Sequence, residues 1–294
     1  MIAYLVTAEH AYTMRNFLTG MGSRFARRIA LISYEQILSE RSIRRADCYI
    51  FSDLDRLHVD VRADLGRLHE QLRERDPDTP LLNHPQHCLL RYDLLRSLHK
   101  RGINRFNAYR ARSRETPRRY PVLLRRESGF QNAPLPLLAD APRAQAQLRL
   151  MQDSGEELQD LIFVEYLDTA DEAGIYRKYG AFVVGERIVP RHVFFSRSWM
   201  VKTADLTNPG LIAEELAYLE TNPHAAQLLQ VCRHAGIAYG RIDYSLLDGR
   251  IQIWEINTNP MVITPPGPDI DPRMSVHRRF TELLDIAFSG VDRK

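Results

Sequence analysis

Lysine is nearly absent from this sequence: Lys100, Lys178, Lys202 and Lys294 are the whole set, and every other basic residue except histidine is arginine. Any role that needs a compact ammonium therefore has few candidates. Cysteine is sparse too. Cys48, Cys88 and Cys232 are scattered and odd in number, which fits neither a disulfide framework nor a zinc-ligand spacing. They read as small buried hydrophobes in a reducing cytoplasm. No apolar run approaches the roughly 18 residues that a membrane helix needs. The start, Met1 to Thr7, lacks a basic leader and a small-residue cleavage site, and reads as a first strand. There is no internal repeat, no low-complexity tract, and no Ser-His-Asp or Cys-His arrangement to supply a nucleophile.

What is present is an ordinary globular balance. The chain has 294 residues, 44% hydrophobic and 26% charged, with a net charge of +3, enough for two or three subdomains that share buried surface. Over the first hundred residues, strand-like runs at Met1–Thr7, Arg28–Ser33, Asp47–Phe51 and Pro80–Asn83 alternate with helical patterns at Ala11–Thr19 and Val59–Arg75. This alternation predicts a small parallel α/β sheet. A helix from about His87 to Lys100 stops at Gly102. Further strands are expected at Tyr120–Leu124, Leu161–Leu167, Ile175–Val184 and Arg187–Phe195, the last two joined by Gly185-Glu186. A helix is expected within Pro136–Met151, a helical stretch broken near Asn222-Pro223 within Gly210–Ala235, strands at Ala238–Leu247 and Ile251–Asn257, and a last helix near Val276–Phe288.

Between Arg101 and Arg126 the chain is strongly basic. It has little aromatic interleaving and no nucleic-acid-binding signature, so it reads as a solvated boundary segment, with a phosphate-facing role for some of its arginines as the alternative. Nucleic acid is not expected as a partner.

The chemistry concentrates in Gly240-Arg241-Ile242-Asp243-Tyr244 and Trp254-Glu255-Ile256-Asn257-Thr258-Asn259-Pro260. Residues two apart in a strand share a face, so Arg241 goes with Asp243 and Glu255 with Asn257. With a three-residue loop, Asp248-Gly249-Arg250, counting back sets Asp243 opposite Glu255 and Arg241 opposite Asn257. A two-residue turn would break this match, so an odd-numbered loop is part of the expectation. Two facing carboxylates need a cation between them, and hard oxygens favour Mg²⁺, which completes its shell with phosphates. The competing reading is a hairpin with surface charges, Arg241 pairing with Glu255.

Arg-x-Asp followed by Glu-x-Asn-x-x-Pro resembles the C-terminal signature of the ATP-grasp superfamily, of the D-alanine–D-alanine ligase and glutathione synthetase type. The resemblance implies that Asp243, Glu255 and Asn257 hold Mg²⁺ and that Arg241 faces the transferred phosphoryl group. Upstream, Asn83-His84-Pro85 and the helix carrying Asp93 resemble the end of the superfamily's N-terminal domain. Tyr120 to Arg125 looks like the strand that ends in a phosphate-binding lysine, here replaced by Arg125. A second such lysine is replaced by Leu94. Phe163 to Leu167 is similar to the hinge strand, which implies that the backbone of Glu165, Tyr166 and Leu167 meets adenine and that Glu172, or else Asp168, meets ribose. The loop Glu127-Ser128-Gly129-Phe130 has one glycine, which suits a phosphate-covering loop poorly.

Lys178 and Lys202 are further phosphate candidates, and His192 is a candidate to face substrate. His84 and His87 stand three apart, a spacing that metal ligands use, but no partners for them are evident and no metal is assigned there. The resemblance implies an ATP-grasp fold, α/β plus α+β. Its parts are an N-terminal α/β domain at 1–103, a small lobe at 104–166 and a large lobe at 167–294. The implied activity is an ATP- and Mg²⁺-dependent carboxylate–amine ligase in the cytoplasm, acting on small-molecule or peptide substrates through an acyl phosphate. The same residues also fit an ATP-grasp kinase that phosphorylates a hydroxyl, or a non-catalytic nucleotide- or nucleic-acid-binding module. Nothing in the sequence indicates an oligomeric state.

Overall fold

The computed structural model describes residues 1–113, 115–128, 136–155, 158–264 and 271–291. Its first sheet is parallel, with strands β1 (Ile2–Val6), β2 (Ile29–Ser33), β3 (Cys48–Phe51) and β4 (Leu81–Leu82) in the order β2-β1-β3-β4. β1 and β3 are buried along their whole length, as central strands covered on both faces must be. Helices α1 (Tyr12–Thr19), α2 (Tyr34–Glu40), α3 (Val59–Arg75) and α4 (Arg91–Lys100) accompany the sheet. The sequence pattern missed α2, whose start is fixed by Ser33 accepting a hydrogen bond from the Gln36 amide.

A three-stranded antiparallel sheet follows, β5 (Ala108–Arg110), β6 (Val122–Arg126) and β7 (Leu161–Glu165), in the order β5-β7-β6. β5 lies inside the basic run and was also unforeseen. Between β6 and β7 runs α5 (Ala141–Asp153), capped by Asp140. The second antiparallel sheet contains β8 (Tyr176–Val184), β9 (Arg187–Ser196), β10 (Tyr239–Leu247) and β11 (Arg250–Asn257), in the order β11-β10-β8-β9. The helical stretch before β10 is indeed broken: α6 (Pro209–Thr221) ends at Asn222 in left-handed conformation, and α7 (Ala225–Ala235) follows. The last helix is α8 (Met274–Ser289).

One continuous core joins the parallel sheet to the four-stranded sheet, with Tyr4 edge-on to Tyr239 at 5.5 Å. Asn83 clamps the junction. It is 2% exposed, adopts φ 67°, and its side-chain amide donates to the carbonyls of Phe51 and Tyr239 while accepting from the amides of Ala238 and Tyr239. Each of these polar groups would otherwise lose its water without replacement. The three-stranded sheet keeps separate cores, one around Tyr109, Leu124 and Phe163, the other around Phe106, Ile162 and Val164.

The basic run is largely exposed, as expected, but several of its arginines are also engaged in ion pairs. Arg105 pairs with Asp248 at 2.7 Å, Arg110 with Glu127 at 2.6 Å and Arg119 with Glu165 at 2.9 Å. These arginines hold the small sheet together and tie it to the β10–β11 hairpin. The loop expected at Glu127 to Phe130 extends outside the described residues from position 129. No helix among the described residues is long and apolar enough to cross a membrane.

Candidate active site

The β10–β11 hairpin brings the two acids together by a different route from the one expected. Its loop has two residues, with Leu247 paired to Arg250, and Asp248 and Gly249 both at positive φ, 50° and 72°. That is the backbone a two-residue hairpin turn demands, and Asp-Gly is its usual sequence signal. Taken alone this turn would have set the acids out of register. A β-bulge at Trp254 restores it: Tyr244 pairs with Ile253, and then Asp243 with Glu255 and Arg241 with Asn257. The extra residue is itself placed on the cavity, since Trp254 lines it, stacks on Phe106 at 4.7 Å and donates to Ser245 Oγ at 2.9 Å.

Each carboxylate sits between two cations. Arg241 grips Asp243 with both arms, Nε to Oδ1 at 2.7 Å and Nη2 to Oδ2 at 3.1 Å, and Lys178 Nζ lies 3.8 Å from Oδ2. So Arg241 pairs with Asp243 and not with Glu255. Glu255 instead receives Arg91, in direct contact through Nη2, and Arg125 at 3.4 Å. Burial pushes the Glu255 carboxyl up, but Arg91, then Arg125, Arg241 and Lys178, outweigh it and hold the group well below the usual carboxylate range. Burial lowers Arg125 to about 10, helped by the like charge of Arg91 and opposed by Glu255. Lys178 is lowered by burial against the pull of Asp243. Arg241 is raised, because Asp243 outweighs the cost of burial.

These groups line one cavity between the two antiparallel sheets. Asp243, Glu255, Asn257, Lys178, Arg125 and Arg91 form its polar part, and Leu123, Leu167, Trp199, Met200 and Val201 its apolar part. Lys202 also lines it. Arg125 from β6 and Lys178 from β8 thus reach the same space from different sheets. Arg241 stands against Asp243 without itself lining the cavity. Glu165, Tyr166 and Leu167 form part of the wall. The Glu165 carboxylate is spent on the Asn107 amide, the Tyr109 hydroxyl and Arg119, and the Tyr166 amide donates to the Pro121 carbonyl at 2.9 Å. The Asn257 side-chain oxygen accepts from the Asn259 amide at 2.8 Å and keeps a second lone pair.

Besides Arg241, three candidates do not line the cavity. Glu172 is exposed in the turn between β7 and β8, and Asp168, the alternative, uses Oδ1 to accept from the Ala170 amide at 3.0 Å. Neither is among the lining residues. His192 is a core residue, 3% exposed and stacked on Phe194 at 3.9 Å, with its imidazole lowered well below the ordinary value by burial.

The sequence reading missed several lining residues. Arg91 is the foremost. It stands one helical turn before Leu94, which is buried in the core. Asp55 and Arg56 also line the cavity and, with it, an adjoining groove that contains Asp93, Arg110 and Glu127. Asp55 Oδ1 is buried without a hydrogen-bond partner, and burial raises this carboxyl against the pull of Arg56 and Arg91. Both tryptophans of the chain, Trp199 and Trp254, lie on the wall.

No family model matches the chain, and no curated protein does. Among solved structures it is similar to D-alanine–D-alanine ligase from Bacillus anthracis, with a TM-score of 0.52 at 12% identity over 98% of this chain and 96% of that one. The same ligase complexed with ATP matches equally. D-cycloserine synthetase DcsG matches with a TM-score of 0.52 at 14% identity, over 98% of this chain and 99% of that one. The ligase from Coxiella burnetii gives 0.50 at 12% identity, over 99% and 97%. The chain has the ATP-grasp fold, including its N-terminal parallel α/β domain.

Proposed function

We propose that the chain is an ATP- and Mg²⁺-dependent carboxylate–amine ligase that works through an acyl phosphate. The observation that carries this reading is the pair Asp243 and Glu255, directly opposed on the hairpin and outnumbered by Arg91, Arg125, Arg241 and Lys178. Two acids and an amide oxygen suit Mg²⁺, and the surplus positive charge suits a polyphosphate. Arg91 Nε and Arg125 Nε are buried with no partner, and such donors cost free energy until an acceptor arrives. Phosphate oxygens would supply one. The apolar wall of Leu123, Leu167 and Met200 suits an adenine ring. The chain's likeness to ligases and a synthetase supports the same class of reaction.

In this reading Asp243, Glu255 and Asn257 would hold Mg²⁺, which would supply positive charge to offset that of the phosphates. Arg91, Arg125 and Lys178 hold phosphate oxygens, with Lys202 at the same cavity. A substrate carboxylate oxygen attacks the γ-phosphorus, and the bond to the β,γ-bridging oxygen breaks to release ADP. An amine then attacks the acyl carbon, phosphate leaves, and the amine gives up a proton. Arg241 does not line the cavity, and in this reading it acts through Asp243, whose two oxygens it holds. The unpartnered Asp55 oxygen is placed to receive an ammonium from the side of the adjoining groove.

The test is a substrate screen that reads ADP and free phosphate together, with hydroxylamine present when the amine is omitted. A ligase releases both in step with amide formation and yields a hydroxamate from the carboxylate alone. A stable phosphoester, with no hydroxamate and no phosphate release, would overturn the ligase reading and point to the kinase.

A further inference from the structure

His84, His69 and Glu70 converge where α3 meets the loop after β4, and none of them lines the cavity described above. One ligand atom from each lies within 4.8 Å of the others. His84 Nε2 is 2.8 Å from Glu70 Oε1, and His69 Nδ1 is 3.9 Å from the same oxygen. Ligands on a tetrahedral zinc ion at ordinary bond lengths are about 3.3–3.5 Å apart, so small side-chain shifts close the set.

Three features show that the cluster is built and not incidental. His69 is 8% exposed, and its Nδ1 is buried with no hydrogen-bond partner, an unsatisfied lone pair or N–H that a folded chain rarely retains. Burial also lowers this imidazole to about 4, so the ring is neutral at physiological pH. The loop carrying His84 is seated tightly on α3. Arg62 Nε donates to the Pro85 carbonyl at 2.7 Å, and the Gln86 side chain occupies the space where a Cβ on Gly66 would stand. Finally, His87 stacks on His84 at 3.8 Å with the rings nearly parallel, which fixes the ring plane.

We propose that His69 Nδ1, His84 Nε2 and Glu70 form a zinc site that fastens α3 to the loop leaving the parallel sheet. Two imidazoles and one carboxylate form a donor set that zinc accepts, with water in the fourth position. In the metal-free state His84 donates from Nε2 to Glu70 and accepts the Gln86 amide at Nδ1, 3.2 Å away. Zinc at Nε2 moves that ring proton to Nδ1, so the Gln86 contact opens while the ion replaces the Glu70 contact. The site is separate from the proposed Mg²⁺ site and does not depend on the ligase reading.

The experiment uses the full chain, stripped with chelator and held in millimolar Mg²⁺ so that the carboxylate site does not compete. It is titrated with Zn²⁺ by calorimetry and with Co²⁺ by visible absorption. One Zn²⁺ per chain is expected, with the intense Co²⁺ bands of four or five ligands. Glu70→Gln, an exposed change that spares the core, and His84→Gln should each weaken binding by at least about tenfold. Glu255→Gln should leave Zn²⁺ binding intact. No stoichiometric Zn²⁺, weak octahedral Co²⁺ bands, or equal affinity in the Glu70 and His84 variants would each overturn the site.

Discussion

Replacing Glu255 by glutamine tests the electrostatic account of the cavity before any substrate is known. Glu255 is the only carboxylate in contact with Arg91 and Arg125 among the described residues, and the three side chains retain only 20%, 11% and 25% of their exposure. Glutamine keeps the shape and removes the charge. Breaking a fully buried pair from one side costs about 3–5 kcal/mol. Residual water contact here brings the expected loss to about 2 kcal/mol, or roughly 3 °C in Tm for a chain of this size. The sign with pH follows from the depressed Glu255 carboxyl. A group ionised more readily in the folded state stabilises fully above its unfolded value, about 4.3, and loses that contribution as pH falls toward its folded value. The stability gap between the native chain and the variant should therefore be widest at neutral pH and narrow steadily below about pH 4.3. ATP without Mg²⁺ should stabilise the variant at least as much as the native chain, because the orphaned arginines gain an anion. Thermal unfolding followed by circular dichroism at several pH values, with and without nucleotide, reads all of this. A variant as stable as the native chain at pH 7, or a gap independent of pH, would refute the reasoning.

Three further outcomes are expected. Nucleotide binding should change the intrinsic fluorescence, since Trp199 and Trp254 both line the cavity, and Trp199→Phe and Trp254→Phe should each retain part of the signal; a flat titration under conditions where dialysis shows binding would count against the pocket. Asp55→Asn should raise the KM for the amine substrate by about tenfold, the weight of one charge-assisted hydrogen bond, with the KM for ATP unchanged, and a shift in ATP affinity alone would move Asp55 out of the amine role. Lys178→Arg and Arg125→Lys, which conserve charge, should each lower kcat/KM by about tenfold, while unchanged kinetics would show that only the net charge matters.

Much of the fold was legible because its signals are local. The strands β1 and β3 are continuous apolar runs, α3 follows its expected limits, and the Asn222-Pro223 break is chemically forced. The hairpin pairs were also reached from sequence, but through compensating errors. Asp248-Gly249 favours a two-residue turn, and the one-residue correction comes from a bulge at Trp254 that no local pattern announces. The bulge is held by contacts distant in sequence or across the sheet, namely the stack on Phe106 and the bond to Ser245. Arg91 was hidden for a similar reason. Its position in the first turn of α4 looks like an ordinary surface arginine until α4 is docked beside β11, where it meets a residue 164 positions away. Asp55 and Arg56 sit in a short 3₁₀ turn, too brief for periodicity to show which way they face.

The near absence of lysine acquires a meaning once the cavity is known. Lys178 and Lys202 both line it, whereas Lys100 is exposed in the last turn of α4. Elsewhere the chain uses arginine wherever a fork can meet a carboxylate in the plane, as Arg241 does with Asp243 and Arg273 does with Glu215 through Nε at 2.9 Å and Nη2 at 2.5 Å. Lys178 does something different. It stands 3.8 Å from Asp243, beyond direct hydrogen bonding, in a position where burial lowers its ammonium. A planar fork there would lock onto Asp243 as Arg241 already does, and the carboxylate would have no oxygen left for a metal. A short-reaching point charge leaves Asp243 partly open while still adding to the field that attracts phosphate. Arg125, on the facing strand, meets no such constraint: Glu255 is shared with Arg91 through one oxygen, Oε2, which leaves Oε1 for another partner. The same physical requirement, a cation that does not consume the acid beside it, is met by lysine on one side of the cavity and by a shared oxygen on the other.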